Sequence, residues 1–191
     1  MEKLLFISSR PLFPIVGGDQ IRTVQQLDLL KERFIVDVIY MTPNDDDESE
    51  NNKIDGVRNI YRFKIGKISS ILQTLRFIFN KLPLQVNYYY NTKVQQTIDS
   101  LIGNYNYVFC NNIRTAEYVR GKTGIVKLLD FVDAISMNYD KARHKAYGIK
   151  RLIYEIDYRR CRHYEQECLD MFDSCAVISD VDNKYMRECQ R

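Results

Sequence analysis

Residues 3–22 read KLLFISSRPLFPIVGGDQIR, and this stretch decides the fold. Leu4 to Ile7 form an apolar run of the length expected for a buried strand. Pro11 and Pro14 forbid its continuation, Gly17 and Gly18 follow, and an amphipathic helix is predicted from near Asp19. A strand that empties through a glycine turn into a helix aims bare backbone N–H groups at the space above the strand tips. The positive end of the helix dipole points there too, so that space suits an anion or a sugar.

Outward from this stretch, strands and helices alternate. Strands are predicted at 3–9, 34–42, 58–64, 105–111, 124–130 and 174–179, and helices at 18–33, 67–80, 87–102, 112–121, 148–172 and 180–190. The strands FIVDVIY, YNYVFCN and GIVKLLD are short and apolar, as sheet interiors demand. The alternation predicts an α/β, Rossmann-like three-layer domain with a mostly parallel sheet. Asn111 and Asp130 end two of the strands, and the carboxyl ends of such strands form the ligand crevice. With 191 residues, 45% hydrophobic, the chain can build one full core.

The net charge of +3 does not by itself point to nucleic acid. No acidic residue occurs from Gly56 to Ile98, whereas segment 43–55 is rich in Asp, Glu and Asn and reads as a solvated loop. Segment 65–84 places Ile68, Ile71, Leu72, Leu75, Phe79 and Leu82 near one helical face, with Lys67, Arg76 and Lys81 interspersed. It reads either as a helix packed on the sheet or as a basic amphipathic helix on an anionic membrane or a partner. Tyr88, Tyr89 and Tyr90 lie nearby, but no nucleic-acid-binding motif accompanies them, so no nucleic acid is expected. The five cysteines lack CxxC spacing and read as buried free thiols of a reducing cytosol. No metal site is expected, and nothing in the sequence reads as a signal peptide or a bilayer span.

Arg22 is a cation in the first helical turn, where the dipole disfavours it. Asp19 offsets it at i,i+3, and a bound anion would offset it better. In LLDFVDAISMNYDKARHKAYG, Asp130, Asp133 and Ser136 read either as helix caps or as carboxylates and a hydroxyl that recognise sugar OH groups. His144 reads as a surface residue and His163 lies mid-helix among arginines, so no Ser-His-Asp arrangement is supported.

Taken together, RPLFPIVGGDQIRTVQQLDLL resembles the opening of family-4 glycosyltransferases, and FIVDVIYMT fits that family's next strand. LLDFVDAISMNY, followed by YEQECLDMFDSCAVISDVDNKYM, resembles a subgroup of bacterial polysaccharide-assembly enzymes. The resemblance implies the amino-terminal, acceptor-side half of a GT-B fold over residues 1–191, with the carboxy-terminal donor domain absent from this chain. It implies a retaining hexosyltransferase that moves a sugar from a sugar nucleotide to a glycan or lipid-linked acceptor. Such an enzyme needs no cofactor, works in the cytoplasm, also at the inner face of the membrane, and would be inactive as this chain alone. By resemblance, Gly17 and Gly18 approach the donor diphosphate or the acceptor, Arg22 assists, and Asp130 and Asp133 lie at the crevice. Many members carry a His on the loop after a mid-domain strand; here the loop reads CNNIRTAEY, so no general base is assigned. The sequence breaks off inside its last predicted helix, which agrees with a piece of a longer protein. The competing expectation is a non-catalytic, flavodoxin-like module that docks a partner or membrane through the basic helix.

Overall fold

A computed structural model describes residues 1–15, 17–43, 54–75 and 79–188. The acidic run at 44–53, Arg76 and Cys189 lie outside the described residues. Six strands form one sheet: β1 (Lys3–Ser8), β2 (Ile35–Thr42), β3 (Val57–Lys64), β4 (Tyr107–Asn111), β5 (Val126–Asp130) and β6 (Ser174–Ala176). Their order is β3-β2-β1-β4-β5-β6, and every pairing is parallel. The chain is therefore the three-layer Rossmann-like domain that the alternation predicts, with the crossover between β3 and β4 placing the switch point between β1 and β4.

The two-residue period of β1 divides the core. Leu4 and Phe6 face α1 (Gly18–Lys31) and pack with Leu27, Val36 and Val38. Leu5 and Ile7 face the opposite layer, where Val94, Ile98, Tyr118, Cys161, Tyr164 and Cys168 close the larger core. That layer holds α2 (Lys67–Thr74), α3 (Leu84–Tyr89), α4 (Thr92–Leu101), a 3-10 helix at Ile113–Val119, α5 (Ile135–Lys145), α6 (Gly148–Met171) and α7 (Asp180–Glu188). Cys110, Cys161 and Cys168 are buried free thiols, and burial raises the pKa of each.

Three elements differ from expectation. The helix predicted at 87–102 is two helices, because the Asn91 side chain accepts from the N–H groups of Lys93 and Val94 and so starts α4 afresh. The helix predicted at 112–121 is 3-10 over Ile113–Val119. Residues 135–145, which lie outside the predicted helices, form the eleven-residue α5, which packs along α6.

Candidate functional site

The register brings three polar residues to one level at the strand tips. Ser8 of β1 lies opposite Asn111 of β4, and Asn111 lies opposite Asp130 of β5. The Ser8 hydroxyl donates to the Arg10 carbonyl at 2.8 Å and accepts from the Arg10 N–H at 3.3 Å. That turn carries the chain out of β1 and presents Arg10 above the sheet. Asn111 is buried, and its Nδ2 has no acceptor. An orphaned donor at a switch point marks a place where a ligand or a water completes the bonding.

Above this level sits the start of α1. Gly17 is extended, with φ −145° and ψ 167°, and Gly18 is also outside the left-handed region, so neither glycine is required by its backbone angles. The Gly17 N–H donates to Gln20 Oε1 at 3.2 Å, and Gln20 Nε2 donates to the Pro11 carbonyl at 3.0 Å. Gly18 is exposed, and a Cβ there would meet nothing within 4 Å. The glycine pair thus keeps the first helical N–H groups uncovered, without a side-chain cap.

Asp19 does not pair with Arg22 as expected. It pairs with Arg10 at 2.6 Å across the turn. Arg22 instead grips Asp130 through Nε at 2.8 Å and NH2 at 3.1 Å. Gln26 Nε2 adds a 2.6 Å bond to the same carboxylate, and the Val132 N–H a 3.2 Å bond. Asp130 is fully buried, and these four donors occupy its oxygens. Its visible role is to clamp α1 onto β5, and the bond to it raises the pKa of Arg22 against the opposing effect of burial.

The loop after β5 is held from below by the motif residues of α6 and α7. Val132 has φ 69°, which for a β-branched residue costs of order 1–3 kcal/mol and needs fixing on both sides. Its carbonyl accepts from the Ile178 N–H at 2.9 Å. The Ala134 N–H donates to Asp182 Oδ1 at 3.0 Å, and Ser179 donates its hydroxyl to the same carboxylate. Ser136, read as a helix cap or a sugar-recognising hydroxyl, is fully buried: its N–H and hydroxyl bond Glu165 at 2.9 and 2.5 Å. Burial pushes the Glu165 carboxyl up to about 7, against those bonds. Asp133 is only partly buried; one of its oxygens accepts from Asn138, and the other has no donor among the described residues. It is the member of the segment that still presents a carboxylate oxygen.

One further residue belongs to the site. Arg114 follows β4 on the loop of the absent His. Its Nε donates to Gln85 Oε1 at 2.8 Å, and its guanidinium lies 4.9 Å from the centre of the Tyr89 ring. Among the described residues no carboxylate lies within 4 Å of it. Burial lowers its pKa, and it senses the charges of Arg10, Asp133 and Asp19. Arg10, Asp19, Arg114 and Asp133 therefore gather around one spot above the switch point. Arg114 was visible in the sequence only as an arginine three residues after a strand's polar end.

Of the residues assigned to a membrane or partner surface, Lys67 begins α2, Lys81 is exposed, and Arg76 lies outside the described residues. Ile71, Leu72, Leu75 and Phe79 are exposed, so this apolar face is not packed on the sheet. Among the described residues no group of His, Cys, Asp and Glu is placed to hold a metal.

No family model matches the chain, and no curated protein matches it in sequence. Among solved structures it is similar to sucrose-phosphate synthase from Thermosynechococcus elongatus, with a TM-score of 0.62 and 17% identity over 97% of this chain. It spans 45% of that structure's chain. At this identity the likeness is one of fold: the chain has the parallel-sheet α/β architecture of one portion of a glycosyltransferase-like structure.

Proposed function

We propose that the chain is the acceptor-side, amino-terminal domain of a GT-B glycosyltransferase that moves a sugar from a sugar nucleotide to a glycan or lipid-linked acceptor. The observation that carries the reading is the Arg114 guanidinium, partly buried and without a carboxylate partner among the described residues, beside the uncovered start of α1. A desolvated cation and free helix N–H groups recover their lost hydration by meeting an anion. The phosphates of a sugar nucleotide, or of a phosphate-bearing acceptor, supply one.

In this reading Gly18 lets phosphate oxygens approach the helix N–H groups, and Arg114 holds the negative charge that grows as the diphosphate departs. Asp133 accepts a hydrogen bond from a sugar hydroxyl with its uncommitted oxygen. The Asn111 amide donates to the guest in place of its missing acceptor. Arg22 and Asp130 act through position, fixing the angle between α1 and β5. Cytoplasmic polysaccharide assembly is the setting that the resemblance suggests.

Binding of inorganic pyrophosphate to the intact chain, followed by amide NMR shifts, tests the reading. Shifts at Gly18, Asp19, Asn111 and Arg114 are expected, about tenfold weaker binding in Arg114→Met, and loss of binding in Gly18→Val with the fold unchanged. Saturable shifts confined to other regions, or none, contradict it.

A further inference from the structure

The α5–α6 hairpin carries a surface that the crevice does not use. Every residue from Tyr147 to Ile153 is exposed: Tyr147 at 86%, Ile149 at 79%, Leu152 at 58% and Ile153 at 39%. Stepping back by four along α6 from buried Cys161 and Asp157 gives Ile153 and Ile149. The helix thus continues its inward-facing stripe beyond the point where the domain covers it.

The same tip is strongly basic. From Asp140 to Arg151 the chain holds Lys141, Arg143, Lys145, Lys150 and Arg151 against one acid, Asp140, which Arg143 binds at 2.5 Å. Among the described residues Lys141, Lys145, Lys150 and Arg151 have no carboxylate within 4 Å. Lys150 instead lies over the Tyr154 ring, its Nζ 5.7 Å from the centroid.

The tip also has a defined place. Glu165 bonds Ser136, six residues past Asp130 at the end of β5, so it lies just beyond the strand tips. Gly148 stands about 25 Å further along the helix axis. The hairpin therefore projects on the side of the molecule that holds the crevice.

We infer that this tip docks the domain on an anionic lipid surface, with Tyr147, Ile149 and Leu152 entering the interface and Lys145, Lys150 and Arg151 meeting headgroup phosphates. An exposed apolar stripe ringed by uncompensated cations matches what such a surface offers, acyl chains beneath negative charge. A protein partner's apolar patch would leave those cations unanswered. No described helix is long and apolar enough to cross a membrane, so the contact is peripheral.

The test is co-sedimentation of the intact chain with phosphatidylcholine vesicles, with and without phosphatidylglycerol. Binding only to the anionic vesicles, weakened by salt, is expected. Lys150→Glu/Arg151→Glu should weaken it at least about tenfold, and Tyr147→Ser/Ile149→Ser should reduce it without changing the circular dichroism spectrum. Arg114→Met should bind vesicles normally, so failure of the crevice reading leaves this one standing. No binding to anionic vesicles overturns the inference. So does binding indifferent to the tip variants, or a tip variant that merely converts a dimer to a monomer.

Discussion

Arg114 and Arg22 are both arginines at the strand tips, and their surroundings give them opposite roles. Arg22 meets a fully buried carboxylate in a two-pronged bond, so its charge is spent on structure. Replacing it by Ala leaves Asp130 buried with Gln26 and one N–H. Breaking a buried pair costs about 3–5 kcal/mol, and the partial exposure of Arg22 reduces this to about 2–3. Denaturant unfolding of Arg22→Ala should show that loss; a change below about 0.5 kcal/mol would mean that the clamp is not structural. Arg114→Met, by contrast, should leave stability within about 1 kcal/mol, because no buried carboxylate depends on it. The contrast could not be read in the sequence: Arg22 and Asp130 are 108 residues apart, and neighbouring Asp19 was the nearer candidate.

At the scale of elements, the segment 130–136 is held by a polar frame rather than by packing alone. Two of its acids sit on other pieces of chain, Asp182 on α7 and Glu165 on α6, and the third, Asp130, is its own first residue at the tip of β5. Glu165 has an ordinary value near 4.5 and is pushed up to about 7 in the fold by burial. A raised carboxyl stabilises the fold fully below pH 4.5, and that contribution is lost as pH rises to 7. The full shift corresponds to about 3 kcal/mol. Glu165→Gln should flatten the stability profile between pH 4.5 and 7, measured by urea unfolding; a wild-type profile that rises across this range would contradict the assignment. Asp182→Ala should cost about 1–3 kcal/mol through the orphaned Ala134 N–H.

The strands β1 and β2 were legible as apolar runs bounded by Pro or polar residues, and β1, β2 and β3 fall within one residue of their predicted ends. The helix α5 was not legible, because ISMNYDKARHK has no apolar period and draws its support from α6. Tyr164, Glu165 and Asp182 lie in the string YEQECLDMFDSCAVISDVDNKYM that carries the resemblance, but their partners were not legible. Tyr164 bonds Glu117, Glu165 bonds Ser136, and Asp182 bonds Ala134, contacts that only the fold supplies.

For the whole molecule, the sheet order gathers the tips of β1, β4 and β5 around one spot, and the α5–α6 hairpin rises on the same side. An anion held there by Arg114, Arg10 and the start of α1 would bind more weakly as salt screens it, with a Debye length of about 8 Å at 0.15 M. The most direct measurement is calorimetric titration of the intact chain with inorganic pyrophosphate at low salt, beside Arg114→Met. The account predicts one saturable site in the wild type and an affinity at least about tenfold lower in the variant, with equal unfolding midpoints. Equal affinity in the two proteins, or no saturable binding in the wild type, would contradict it.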